Sequence, residues 1–294
     1  MSPVAVLPDL RSAVFRFAPE SAVRLQPFSG SAWRGAFGHA FKRLVCTAGL
    51  RPCAGCPLAA TCLFPRFFGT DGAADAARPF ILAPAPTPRG GWLAPGESLP
   101  VQLTLLREAE RAAPYVARAL IDAASRGLTG QRVPFRLVGI DTCPGPDSAS
   151  APLAPRTLFC PPQPQTVRLA FVTPLRLRLS GDLVTGATLT PRHLVEAAAR
   201  RLRWLGFAGF AALGQAARAE AAALAFAQSR FGWLETTRHS TRQGGTMQLG
   251  GIVGEASLDL CGTRHFWPLL WAGTVLHLGK GAAMGFGRIE AQPC

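Results

Sequence analysis

The sequence predicts an α+β protein of two tandem ferredoxin-like (β-α-β-β-α-β, RRM-like) domains, with a cysteine-rich insertion in the first. Three observations predict it. Apolar runs of strand period and helical period follow one another in that order twice. A proline-dense stretch divides the chain near its middle. The 294 residues, 48% of them hydrophobic, suffice for two cores. The division expected is residues 1–145, a linker over 146–165, and residues 166–294.

In the first domain, residues 13–17 (Ala-Val-Phe-Arg-Phe) read as a strand, followed by a loop whose only cation is Arg24. A helix then starts behind Ser31 as N-cap. Trp33, Phe37, Phe41, Leu44 and Val45 give it one apolar face through Cys46. Gly35, His39, Lys42 and Arg43 group on the opposite side, where His39 is either a solvated residue or an imidazole displayed beside two cations. Arg34 lies nearer the apolar flank, where a guanidinium needs a partner or a route to water.

Cys46-x6-Cys53-x2-Cys56-x5-Cys62 forms the heart of the insertion, residues 46–66. Four soft ligands within 17 residues suit a structural zinc held by thiolates. An iron–sulfur cluster would use the same set, and a loop that binds nothing is the third possibility. A metalloenzyme built on these cysteines is a remote third class, because four thiolates leave no open position for substrate.

A short strand near Pro79 to Leu82, an alternating strand from Leu99, a helix over 110–126 and a strand from Val133 to Ile140 complete the first domain. The second opens with a strand from Thr166 to Leu179 that carries Arg168, Arg176 and Arg178. A helix runs from Pro191, behind Thr190, to near Leu205. Another helical segment spans Leu213 to Ser229. Trp233 to Arg242 and Met247 to Leu260 read as a hairpin around Gly244-Gly245, with Arg238, His239 and Arg242 at its tip. A short helix (Arg264 to Trp271) leads to a glycine-rich loop, 279–288, and a last strand.

That loop, Gly279-Lys-Gly-Ala-Ala-Met-Gly-Phe-Gly-Arg288, reads either as a turn or as a phosphate cradle. In the cradle reading Gly279, Gly281, Gly285 and Gly287 present backbone amides, Lys280 and Arg288 supply charge, and Phe286 stacks on a splayed base.

Charge favours an anionic partner. Thirty-one Lys and Arg against seventeen Asp and Glu give +14, and only Lys42 and Lys280 are lysines. Arginine suits bidentate contact with phosphates. The halves carry +6 (1–150) and +8 (151–294), so both are expected to face the same polyanion. No secretory signal pattern and no apolar run of about 18 residues is present, so a cytoplasmic protein without membrane partners is expected.

Four segments resemble the CRISPR-associated RAMP endoribonucleases that process precursor CRISPR RNA, the repeat-cleaving branch, of type III or type IV systems. They are Trp33-Arg-Gly-Ala-Phe-Gly-His-Ala-Phe-Lys-Arg-Leu, the cysteine segment ending Cys62-Leu-Phe-Pro-Arg-Phe-Phe, Thr173-Pro-Leu-Arg-Leu, and Leu249-Gly-Gly-Ile-Val-Gly with Gly279 to Arg288. The resemblance implies cleavage of repeat RNA without metal, giving a 5′-hydroxyl and a 2′,3′-cyclic phosphate, with the mature guide RNA retained. CRISPR repeat RNA, mature crRNA and other effector subunits are the partners it implies. It assigns His39 as general base and Lys42 as phosphate stabiliser. Where members carry a tyrosine in the first loop, this chain has Arg24. That departure makes Arg242 a second candidate for transition-state contact. Arg34, Arg43, Arg176, Arg178, Arg238 and His239, with the glycine-rich loop, complete the expected RNA surface. The alternative is a RAMP subunit that holds guide RNA without cutting it.

Overall fold

The fold is known from a computed structural model, which describes residues 5–69, 78–87, 91–128, 132–142, 152–179, 181–210, 212–240 and 245–294. The chain forms two compact units, one of residues 9–156 and one of residues 157–294 together with 1–8.

Along the chain, β1 (Val6–Pro19) is followed by a two-residue strand β2 (Val23–Arg24), helix α1 (Gly30–Val45) and a short helix α2 (Leu63–Phe68). Then come β3 (Phe80–Pro84), β4 (Trp92–Leu93), β5 (Leu99–Leu106), α3 (Ala113–Ser125) and β6 (Phe135–Thr142). The expected linker contains a strand, β7 (Pro155–Phe159), which pairs with β1. Proline density argued against a strand there, but a proline at the first residue removes no ladder bond the strand needs. The main sheet of the unit 9–156 has the order β3-β5-β1-β6, and the paired strands are antiparallel. Numbered within the repeat this is 2-3-1-4, the ferredoxin-like order.

An aromatic core fills the space between α1 and this sheet. Trp33 touches Phe17 and Phe135 at centroid distances of 5.0 and 5.8 Å, Phe41 lies 5.0 Å from Phe67, and Phe37 is 5.5 Å from Phe80. These side chains are fully buried, so the helical spacing of Trp33, Phe37 and Phe41 fixes which face of α1 turns outward. Two details of α1 differ from expectation. Its N-cap is Ser29, whose buried hydroxyl has no hydrogen-bond partner, and Leu44 is exposed because the apolar face ends one turn early.

The second unit holds β8 (Thr166–Leu175), β9 (Arg178–Leu179), β10 (Asp182–Leu183), α4 (Pro191–Trp204), α5 (Leu213–Ala223), β11 (Gln228–Ser240), β12 (Gly245–Asp259), α6 (Phe266–Leu276) and β13 (Ile289–Pro293). Its four-stranded sheet runs β11-β12-β8-β13, again the 2-3-1-4 order. Thr190 caps α4 with Pro191 at the first helical position, and His193 returns a bond to complete a capping box. On α5, Glu220 accepts the amides of Arg264, His265 and Phe266 at 3.0, 2.8 and 2.8 Å, which anchors the start of α6. His265 Nδ1 also meets this carboxylate at 2.7 Å. No helix among the described residues is long and apolar enough to cross a membrane.

Candidate functional site

In the unit 9–156 the candidate chemistry sits on α1. His39 is exposed, as are Gly35 and Arg43, while Trp33, Phe37, Ala40 and Phe41 are locked in the core behind it. An imidazole on a helix clamped this way has little backbone freedom, which is what a positioned proton carrier needs.

Lys42 takes a different place from the one expected. Its Nζ donates to the carbonyls of Leu50 and Arg51 at 3.1 and 2.8 Å, and it lies over the Phe64 ring at 5.5 Å. The ammonium therefore ties the cysteine insertion to α1, with one donor left for any other partner. Arg34 is half-buried with its guanidinium 5.1 Å from the Phe68 ring centroid. That ring presses on Gly38, where an added Cβ would come within 2.8 Å of it. Arg24 is exposed on β2, paired directly with Trp92 of β4.

Cys46, Cys53, Cys56 and Cys62 are free thiols that line one cavity of about 420 Å³ together with Lys42, Phe64 and Tyr115. Among the described residues no group of three or more His, Cys, Asp and Glu stands close enough to share a metal ion. As placed, the four cysteines enclose a space but do not form a ligand set.

In the second unit the glycine-rich loop is closed on the end of β8. Lys280 N donates to Arg176 O at 2.9 Å, Gly287 N to Pro174 O at 3.0 Å, and Arg288 N to Thr173 Oγ1 at 2.9 Å. Met284, Gly285 and Phe286 bond to carbonyls within the loop. Gly279, Gly281, Gly285 and Gly287 all have positive φ, as the cradle reading required, yet most of these amides are already satisfied by protein oxygens. What the loop offers outward is the exposed Lys280 and the half-buried Arg288, the latter paired with Glu290 at 2.8 Å. Phe286 corrects the expectation of a base-stacking ring. It is 1% exposed and packs on Gly281, because the positive-φ turns fold the loop's apolar side inward.

Two buried groups that the sequence did not single out hold this loop. His277 Nδ1–H donates to the Phe286 carbonyl at 3.1 Å. Burial, with Arg288 and Arg201 nearby, pushes its pKa down to about 3 despite that bond. Arg201 on α4 donates from Nε to the Leu276 carbonyl at the end of α6 at 3.2 Å, while its Nη2 is buried without a partner. Burial pushes the Arg201 pKa down to about 10. Neither residue carried a sequence signal, since an arginine in a basic helix reads as a solvated one.

Arg176 reaches across to the Gly250 carbonyl of β12 at 2.8 Å, and Arg178 donates to Gly181 O at 2.7 Å. Arg238 and His239 are described only through their backbone on β11, and Arg242 lies outside the described residues.

The AF_1859_N family model, an N-terminal domain, matches residues 7–164, and the model described as CRISPR-associated endoribonuclease Cas6 matches residues 169–289. Among solved structures, Thermus thermophilus Cas6 superposes with a TM-score of 0.56 at 16% identity, covering 97% of this chain and 99% of its own. A Cas6 product complex gives 0.56 at 18% identity over 98% and 99% of the two chains. A Cas6 substrate mimic complex gives 0.55 at 17% identity over 98% and 100%. No curated protein matches the sequence.

Proposed function

This chain belongs to the CRISPR-associated Cas6 family, and from that premise we propose that it cuts CRISPR repeat RNA by attack of a ribose 2′-hydroxyl on the adjacent phosphodiester. The 2′-oxygen forms a bond to phosphorus and the bond to the 5′-oxygen breaks, giving a 2′,3′-cyclic phosphate and a 5′-hydroxyl. RNA supplies the nucleophile, so DNA is not cut and the chemistry needs no metal. His39 takes the 2′-hydroxyl proton, and the leaving 5′-oxygen takes a proton from water to become the 5′-hydroxyl. Arg43, at i+4 from it on the helix, adds positive charge on its side of α1, and Lys42, at i+3, has one N–H left for the phosphate beside its two bonds to the insertion. A zinc ion on Cys46, Cys53, Cys56 and Cys62 would serve the insertion's fold and not the reaction, and it would require the thiols to converge further.

The observation that carries this reading is His39 itself, exposed on a helix whose opposite face is immobilised by Trp33, Phe37 and Phe41. The net charge of +14 supports retention of the product. The test is repeat RNA incubated with purified protein in chelator. Cleavage at one phosphodiester is expected, slowed by about 10²- to 10⁴-fold in His39→Ala with binding largely retained. Tight binding of RNA that stays intact in the wild type would instead assign a guide-holding, non-catalytic subunit.

A further inference from the structure

We infer that Trp92 and Arg24 form a stacking platform for one unpaired nucleotide of the RNA, an inference that rests on the function proposed above. Trp92 is 56% exposed, a large apolar ring on the surface of a strongly basic protein. Its strand is held firmly. Arg24 and Trp92 are direct partners in the antiparallel β2–β4 pair, so their side chains stand side by side on one face. Their neighbours Val23, Leu25 and Leu93 alternate inward and are buried, which leaves the pair pointing out.

The backbone around it is cross-braced. Leu25 N donates to Gly91 O at 2.7 Å, Thr87 N to Pro27 O at 3.0 Å, and Thr87 Oγ1 to Gln26 O at 2.8 Å. Gly91 has φ of 72°, and a Cβ there would stand 2.2 Å from the Leu25 carbonyl oxygen, so only glycine allows the approach. The result is an indole and a guanidinium displayed on a braced short ladder, and α1, the helix of His39, is the next element after β2. An indole face accepts any base, and a neighbouring arginine meets the phosphate that comes with it. The occupant is therefore a single-stranded nucleotide, since a base within a duplex has no free face to offer.

The experiment uses the full chain and repeat RNA, with a series of RNAs abasic at single unpaired positions. Trp92→Ala is expected to raise Kd and KM by about 5- to 150-fold while kcat stays within about threefold, and Trp92→Phe to restore most of the loss. In the wild type one abasic position should weaken binding by a similar factor. That same abasic RNA should bind Trp92→Ala no worse than the intact RNA does. Arg24→Gln should lower the slope of log K against log salt by about 0.7. A wild type that cuts repeat RNA while Trp92→Ala binds and cuts it equally well overturns the platform alone. So does a Trp92→Ala defect matched by no abasic position. A wild type that neither binds nor cuts repeat RNA removes both the platform and the proposed activity.

Discussion

His277 and Phe286 are joined by a buried hydrogen bond, the imidazole Nδ1–H donating to the phenylalanine carbonyl at 3.1 Å across the glycine-rich loop. The carbonyl can accept from Nδ1–H of either the neutral or the charged ring and by itself favours the charged one, but burial outweighs it and pushes the histidine pKa from 6.5 down to about 3. The unfolded chain takes up this proton below about pH 6.5 and the folded chain does so only near pH 3. The stabilisation is therefore complete above pH 6.5 and falls as pH drops below it, by about 1.4 kcal/mol per unit. Urea unfolding at pH 7.5 and 5.0 should show this loss in the wild type. In His277→Gln the pH dependence should be shallower by about 2 kcal/mol over that interval.

Glu220 gives a second test in the same unit. Burial alone would raise its pKa, but the bonds from His265, Arg264 and Phe266 outweigh that and hold it below the usual carboxylate range. A depressed carboxylate contributes stability above the unfolded pKa and loses it as pH falls through the folded one. Glu220→Ala should destabilise the protein by about 2–4 kcal/mol at pH 7, because three amides at the start of α6 lose a charged acceptor. Thermal unfolding by circular dichroism measures it.

Lys42 separates structure from chemistry in the first unit. Removing its ammonium in Lys42→Met takes away both bonds to the Leu50 and Arg51 carbonyls. The insertion should loosen, and the reaction of its four thiols with a disulfide reagent should quicken severalfold. If RNA cleavage falls while thiol reactivity stays at the wild-type rate, Lys42 acts on substrate and not on the loop.

Glycines in the two candidate segments should respond in opposite ways. At Gly287 a Cβ would stand 1.8 Å from the Leu278 carbonyl oxygen with φ at 68°, so Gly287→Ala should disrupt the loop and cost at least about 3 kcal/mol. At Gly35, on the exposed side of α1, an added Cβ meets nothing within 4 Å. Gly35→Ala should stabilise the helix by about 0.5–1 kcal/mol, read as a higher unfolding midpoint.

The sequence by itself determined the twin β-α-β-β-α-β order, the outward turn of His39 and the run of α4 from Pro191, because each follows from local spacing: apolar period, capping chemistry and turn residues. It identified the positive-φ glycines of the last loop for the same reason. Only the tertiary structure decided where polar groups found their partners. It turned Lys42 toward the insertion, buried Phe286, brought Arg201 and His277 beneath the loop and set Trp92 against Arg24. Those outcomes depend on contacts between residues far apart in the chain, where burial and the need to satisfy each buried donor and acceptor outweigh any preference a short stretch of sequence carries.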